Sequence, residues 1–233
     1  MSKTTNILLA DLKIKIEHRF DFMSGFCKKY IADFDTPDIC VFAEEEAVLK
    51  ENEMVPAAPV EICESLCIYR EIAERLPVFE RFVFHGAAIE LDGKAVVFTA
   101  PSGTGKTTHI SLWKKNLGDR VKVINGDKPI FKISDKITVY GTPWAGKEGL
   151  HHNTSAPIKA VCVLKQGKIN KITRLEPSAT ISRLMRQVYL PKDSDSCEKT
   201  LGLLGSLVEK IPVFELECDI SDEAFNTAYN AFM

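Results

Sequence analysis

The sequence predicts a mixed α/β fold with an α+β tendency, in which a hairpin-rich β-sheet core is flanked by helices. Strand candidates outnumber helical segments along the 233 residues. Several candidates are joined by tight turns such as Leu91-Asp92-Gly93, and Asp-Gly is a strong hairpin signal. A glycine-rich loop also separates a strand candidate from a helix candidate at residues 96–117. Because hairpins pair strands in antiparallel fashion, we expect a mixed sheet rather than a purely parallel one.

The first 78 residues contain few clear elements. Apolar residues alternate over residues 5–17, which predicts a strand pair or one bent strand. Residues 38–42 are a short strand candidate, and residues 20–31 fit no single element. Helical spacing of apolar residues predicts a helix over residues 56–75, which Pro77 ends.

The remaining elements are predicted in the same way, strands from alternating or continuous apolar residues and helices from apolar residues at helical spacing. The expected strands are residues 82–90, 94–100, 121–125, 131–133, 136–141, 158–167, 169–175 and 213–219. The expected helices are residues 106–117, 178–190, 194–210 and 221–232, the first closed by Gly118 and the last capped by Ser221. We expect residues 1–78 to form an N-terminal lobe packed on the core, and residues 79–233 to form a nucleotide-binding domain.

Composition excludes several classes of function. A formal net charge of -2 gives no electrostatic reason to bind nucleic acid or an anionic membrane. No stretch approaches the ~20 apolar residues of a membrane span, and the N-terminus lacks the pattern of a signal peptide. The seven cysteines show no paired C-x-x-C spacing, which favours small core residues in a reducing compartment. We therefore expect a cytoplasmic protein.

The sequence PSGTGKTT at residues 101–108 is typical of a phosphate-binding loop. Its glycines allow backbone conformations in which successive N–H groups converge on a phosphate, and the following helix N-terminus favours the same anion. Lys106 is placed to reach the β- and γ-phosphates. The hydroxyl of Thr107, or alternatively that of Thr108, is placed to ligate Mg²⁺. The expected phosphate-binding residues are Ser102, Gly103, Thr104, Gly105, Lys106, Thr107 and Thr108. Ala100 stands where such loops have their first glycine, and it fits if that position has a negative φ.

Asp127 is the expected second element of the site, because phosphoryl transfer also needs a carboxylate as base or metal ligand. It follows the apolar strand 121–125, where a neighbouring strand would bring it beside Lys106. The alternative is that Asn125-Gly126-Asp127 is only a turn, and the two interpretations are compatible.

These motifs resemble a known family. Phe84-His85-Gly86, then SGTGKTT, then the turn at residues 125–128 are similar to the C-terminal catalytic domain of HPr kinase/phosphorylase. They also resemble the nucleotide fold of ATP-dependent phosphoenolpyruvate carboxykinase, and most closely the small HPr-kinase-related proteins of bacteria. The likeness covers about residues 79–190 and implies a phosphate-loop fold of that type.

The resemblance implies ATP, Mg²⁺ and transfer to a hydroxyl. HPr kinase has a pair of acids after its second strand, of which only Asp127 is matched here, with Gly126 at the neighbouring position. His85 corresponds to a histidine that lines the family's site, the alternative being a histidine satisfied within the fold. The chain is much shorter than the carboxykinase, and the N-terminal domain of HPr kinase is not evident.

Further candidates lie downstream. Trp144 and Lys147, in a glycine-flanked loop, could contact phosphate or acceptor, or Trp144 could simply pin the turn. Arg183 and Arg186 share a helix face and could neutralise a phosphate, the alternative being a solvated face.

The sequence thus predicts a phosphotransferase that uses ATP and Mg²⁺, with Asp127, Lys106 and His85 as catalytic residues and Thr107 and Asp127 as metal ligands. The acceptor would be a hydroxyl of a protein, a peptide or a small metabolite. A regulatory or peptide-modification accessory module with little turnover, and a P-loop NTPase, are the alternatives. Because related kinases often assemble, the resemblance also allows a homo-oligomer.

Overall fold

The computed structural model describes residues 2–233, and their first sheet has three strands. These are β1 (Lys3–Leu9), β2 (Leu12–His18) and β3 (Ile39–Val41), with β2 in the centre. Ala10 and Asp11 turn the chain between β1 and β2 at φ 49° and 62°. Residues 5–17 therefore form a strand pair, and β3 confirms the strand expected at residues 38–42.

Three helices accompany this sheet. The segment that fitted no single element contains α1 (Phe22–Phe26) and a 3₁₀ turn at Lys28–Tyr30. The helix α2 (Glu45–Met54) was not predicted, because a mostly exposed, acidic segment with few apolar residues shows little periodicity. The predicted helix at residues 56–75 is α3 (Val60–Arg75), which begins later because Pro59 is its N-cap.

The second sheet has nine strands and is mixed, as the sequence predicts. Its strands are β4 (Arg81–Val83), β5 (Ala87–Leu91), β6 (Lys94–Thr99), β7 (Val121–Asn125), β8 (Ile130–Lys132), β9 (Thr138–Tyr140), β10 (Ser155–Gln166), β11 (Lys171–Arg174) and β12 (Val213–Cys218). The order is β4-β8-β9-β10-β6-β5-β7, with β12 also paired to β10 and β11 to β12. The β10–β6 and β10–β12 pairs are parallel, and the other pairs are antiparallel.

Helices cover both faces of this sheet. They are α4 (Lys106–Leu117), α5 (Pro177–Leu184), α6 (Ser194–Lys210) and α7 (Asp222–Phe232). Alternation along β6 decides the faces: Val96 and Phe98 belong to the apolar cluster of α4 and α7, while Ala95 and Val97 belong to that of α5 and α6. The helix α4 is thereby packed against one face of the sheet.

Two sequence predictions are corrected. The run 82–90 is not one strand, because Gly86 separates β4 from β5, and a Cβ there would lie 3.0 Å from the Phe98 carbonyl oxygen. The helix expected over 178–190 ends at Leu184 and is followed by a 3₁₀ turn at Met185–Gln187. Its last part leaves the helix because Val188 forms a β-bridge with Phe84.

The boundary at residue 78 stays a prediction. The first sheet and α3 share an apolar cluster, but this cluster also includes Val83, Ile130 and Trp144 from the following segment. None of the helices formed by residues 2–233 combines the length and the apolar character needed to cross a bilayer.

Candidate functional site

The glycine-rich loop connects the end of β6 to the start of α4, as expected. Gly103 has a φ of 79° and Gly105 a φ of 108°, and a Cβ on either would meet no atom within 4 Å. The glycines are therefore required by backbone conformation and not by crowding. Thr104 shapes the loop as well, since its hydroxyl donates to the Pro101 carbonyl at 2.8 Å.

Ala100 fits the loop without strain. The residues with positive φ in the described chain, 2–233, do not include it, so this position makes no demand for glycine. Its side chain is buried, and its carbonyl oxygen accepts a hydrogen bond from Lys106 Nζ at 2.9 Å.

The N-terminus of α4 is open to a ligand. Within the described residues, no side-chain hydrogen bond caps this helix, and Gly105 occupies the N-cap position. Ser102 and Thr108 are exposed and Thr107 is half-buried. A cavity of about 370 Å³ lies against the loop and extends to Leu112, Leu164 and Ile220. An anion at this helix end would meet free N–H groups and the positive end of the helix dipole.

Lys106, His85 and Asp127 are brought together beside the loop. Lys106 Nζ lies 3.3 Å from His85 Nε2, and the same His85 nitrogen lies 3.4 Å from Asp127 Oδ1. Lys128 Nζ binds the other carboxylate oxygen of Asp127. His85 Nδ1 lies 2.9 Å from Gln187 Oε1 and donates to this amide oxygen, while Nε2 faces both Lys106 and Asp127.

The charges of this cluster are strongly coupled. Burial raises the pKa of Asp127, but the hydrogen bonds and charges of His85 and Lys128 outweigh it and lower this pKa to about 2. Burial lowers the pKa of Lys106, Asp127 opposes the shift, and Lys128 adds to it. An anionic Asp127 is thus held in a basic environment, where it is well suited to orient a hydroxyl but is a weak base.

Asp127 does not come from a strand next to β6, which corrects the expectation. The strand β5 lies between β6 and β7, and it is antiparallel to both. β6 and β7 therefore run in the same direction, and their C-terminal ends meet at one edge of the sheet.

The turn expected at Asp127 is present, and it is compatible with a functional role of this residue. The side-chain oxygen of Asn125 accepts from the amides of Asp127 and Lys128, at 2.8 and 2.7 Å. Its amide nitrogen donates to the carbonyl oxygen of Thr142 at 3.0 Å. The Asp127 carbonyl in turn accepts from the Gly86 amide at 2.9 Å, which ties the turn to the residue after His85.

Gly126, which stands in place of a second acid, is closely packed. A Cβ at this position would lie 3.1 Å from the Ala145 carbonyl oxygen and 3.4 Å from that of Leu150. The loop that begins at Trp144 thus packs closely on Gly126, and a side chain at this position would press on its carbonyl oxygens. Gly146 approaches Asp127 in the same way, because a Cβ on it would lie 3.1 Å from the Asp127 Cβ.

Trp144 pins this loop and offers no surface to an acceptor, which corrects one of its two interpretations. Its side chain is only 4% exposed and stacks on Tyr69 with ring centroids 4.1 Å apart. Its Nε1 donates to the Ser65 carbonyl at 3.0 Å, so it joins the loop to α3. Lys147 is exposed on the same loop.

The two arginines of the predicted helix are separated by its early end. Arg183 is exposed and forms an ion pair with Glu215 at 3.0 Å, which fits the solvated-face interpretation. Arg186 lies in the 3₁₀ turn and lines a second cavity together with His85 and Lys128. Only Arg186 is therefore near the cluster.

Sequence reasoning missed two members of the cluster, Lys128 and Gln187. Lys128 directly follows Asp127, and its position in the NGDK turn was the available signal. Gln187 is 102 residues from His85 in sequence, so no local pattern indicates their contact.

The donor atoms present suit Mg²⁺. Thr107 and Asp127 supply hydroxyl and carboxylate oxygens, and Mg²⁺ is usually held by one or two protein oxygens plus phosphates and water. Within residues 2–233, no group of three or more His, Cys, Asp or Glu side chains is placed to hold a metal. A cation here would thus depend on the phosphates of a nucleotide.

Comparisons with known proteins give a family. No curated protein matches the sequence. Among solved structures, the HPr(Ser) kinase/phosphatase from Coxiella burnetii is similar with a TM-score of 0.38 and 10% identity, over 64% of this chain and 95% of that one. A TM-score of this size assigns no function. The family model described as "SynChlorMet cassette protein ScmC" matches residues 57–231, from before α3 to the last turn of α7. Since this range is well over half of the chain, the protein belongs to the ScmC family.

Proposed function

We propose that this protein binds ATP with Mg²⁺ and transfers the γ-phosphoryl group to a hydroxyl. One observation carries the proposal: Lys106, His85 and Asp127 meet beside an uncapped helix N-terminus that follows a glycine loop. The loop and the helix N-terminus offer N–H groups to a polyphosphate, and the cluster offers a carboxylate that can orient the attacking hydroxyl. The residues 102–108 would hold the phosphates, and Thr107 and Asp127 the cation.

Each residue has a role that follows from its contacts. Lys106 would exchange the Ala100 carbonyl and His85 for the β- and γ-phosphate oxygens, because its present partners are weaker than two anions. Asp127 would orient the acceptor hydroxyl, with His85 and Lys128 fixing its position. Bound Mg²⁺ would neutralise the charge that develops on the phosphate oxygens.

The proposed transfer is a simple displacement at the γ-phosphorus. The acceptor oxygen forms a bond to the γ-phosphorus, and the bond from that phosphorus to the bridging oxygen breaks. The electron pair of the broken bond stays on ADP. The hydroxyl proton leaves to solvent as the bond to phosphorus forms, while Asp127 orients the hydroxyl, and most of the rate comes from positioning and charge stabilisation.

A labelling experiment tests this function. The purified protein is incubated with [γ-³²P]ATP and Mg²⁺, with and without hydroxyl acceptors that include serine, peptides and small hydroxy acids. Label in an acceptor, abolished in Asp127→Asn, is the expected result, and Asp127→Asn should keep its ATP affinity within about tenfold. Label found only in free phosphate would instead show an NTPase, and ATP binding with no turnover would show a regulatory module.

A further inference from the structure

The second cavity lies between the N-terminal segment and the catalytic cluster. It has a volume of about 230 Å³ and is bounded on one side by α3 and on the other by residues 186–189. It shares no lining residue with the cavity at the phosphate loop. His85 and Lys128 form part of its wall, and both contact Asp127. Asp127 is not itself a lining residue of this cavity, so a molecule here would approach its carboxylate past His85 and Lys128.

The cavity walls combine apolar and basic groups. The apolar part of the lining comprises Leu66, Ala73, Val83 and Val188. Tyr69 and Tyr189 also line it, but their hydroxyls are engaged, donating to the Lys128 carbonyl and to Glu74 Oε1, both at 2.7 Å. No aspartate or glutamate stands among the described residues of the lining. A ligand would therefore have an apolar body and, at its charged end, a negative charge.

One of the three basic side chains is free to bind that charge. Arg70 makes two hydrogen bonds to Glu51, at 2.7 and 2.9 Å, and Lys128 is paired with Asp127. None of the ion pairs formed among residues 2–233 includes Arg186, which is exposed at the cavity rim. A single unpaired guanidinium matches a monoanion, and its planar fork suits a carboxylate.

We propose that this cavity is the acceptor site and that the acceptor is a small hydroxy carboxylic acid with an apolar body. Its carboxylate would pair with Arg186, its body would lie along α3, and its hydroxyl would face Asp127. The inference rests on the proposed function and names its acceptor class. A volume of about 230 Å³ is below the usual range of roughly 300–1,000 Å³ for ligand pockets, which favours a metabolite over a folded protein segment.

Direct binding tests the cavity independently of turnover. The probes are 3-hydroxybutyrate, 5-hydroxypentanoate and 3-(4-hydroxyphenyl)propanoate, each compared with its methyl ester by titration calorimetry. At least one acid should bind at least about tenfold more tightly than its ester, since an ion pair to a guanidinium is lost in the ester. Arg186→Gln should remove that preference, while Arg174→Gln, at an exposed arginine on β11, should keep it.

The outcomes separate this inference from the function on which it depends. Acid binding lost in Arg186→Gln, together with label transfer to the same acid, supports both. Acid binding without any transfer supports the cavity and counts against the kinase function. If no acid binds, if ester and acid bind equally, or if Arg186→Gln binds like the unmodified protein, the acceptor site is overturned, whatever the result with ATP.

Discussion

His109 makes the stability of the phosphate-loop helix sensitive to acid. It lies in the first turns of α4, is only 3% exposed, and accepts a hydrogen bond from Trp113 Nε1 at 3.1 Å. Burial lowers the pKa of His109 to about 4 from an ordinary value near 6.5. The folded state therefore resists protonation at a pH where the unfolded chain accepts it.

The sign and size of the effect follow from this shift. The stability due to the neutral ring is complete above pH 6.5 and is lost as the pH falls toward 4, because only the unfolded state binds the proton there. At 1.36 kcal/mol for each unit of pKa, the free energy of unfolding should fall by about 2 kcal/mol between pH 7.5 and pH 5.

His109→Gln isolates this contribution. Glutamine can still accept from Trp113 but does not titrate, so the variant should lose about 2 kcal/mol less than the unmodified protein over the same pH range. Urea unfolding is followed by tryptophan fluorescence, since both tryptophans are buried. His151→Gln, at a more exposed histidine in a loop, serves as the control and should change this pH dependence less. Equal losses in the His109→Gln variant and the unmodified protein would refute the reasoning.

Three further substitutions test the geometry of the loops. Gly126→Ala should lower the free energy of unfolding in urea by about 1–3 kcal/mol, because the new Cβ would press on the Ala145 carbonyl oxygen. Gly25→Ala is the control and should not destabilise the protein, since a Cβ there has no atom within 4 Å. Equal effects of the two substitutions would contradict the packing. Trp144→Phe should lower the free energy of unfolding by about 1–3 kcal/mol, because the hydrogen bond to Ser65 is lost and the stacking on Tyr69 is poorer. An unchanged midpoint of urea unfolding would show that Trp144 does not hold the loop in place. Gly105→Ala should weaken ATP binding, measured by calorimetry, since alanine is strained at a φ of 108°. An unchanged affinity would show that the loop does not bind phosphate in this conformation.

Local patterns predicted the parts of the fold that local physics decides. The phosphate loop, the start of α4 at Lys106 and the Asp92-Gly93 hairpin all lie where the sequence placed them. In each case glycine conformation or helix and strand periodicity is sufficient. The split at Gly86 was not visible, because it depends on strand pairing that is distant in sequence: β4 pairs with β8, whereas β5 pairs with β6 and β7.

At the candidate site too, local patterns indicate some features, and tertiary packing decides the others. Residue type and spacing predicted that Lys106 and Asp127 lie close together, as they do. The predicted adjacency of their strands was wrong, since sequence order does not show that β5 lies between β6 and β7. Gln187 joins His85 only through tertiary packing. The close packing of the loop 144–150 on Gly126 is likewise a tertiary feature that no local pattern shows.

Calorimetric titration with ATP and Mg²⁺ tests the central claim most directly. Lys106→Ala should weaken binding by about 10- to 100-fold, because charge-assisted hydrogen bonds to the phosphates are lost. Lys114→Ala, at an exposed lysine of the same helix, should bind like the unmodified protein. An affinity in Lys106→Ala equal to that of the unmodified protein, or no ATP binding by either, would contradict the assignment of residues 102–108 as a nucleotide site.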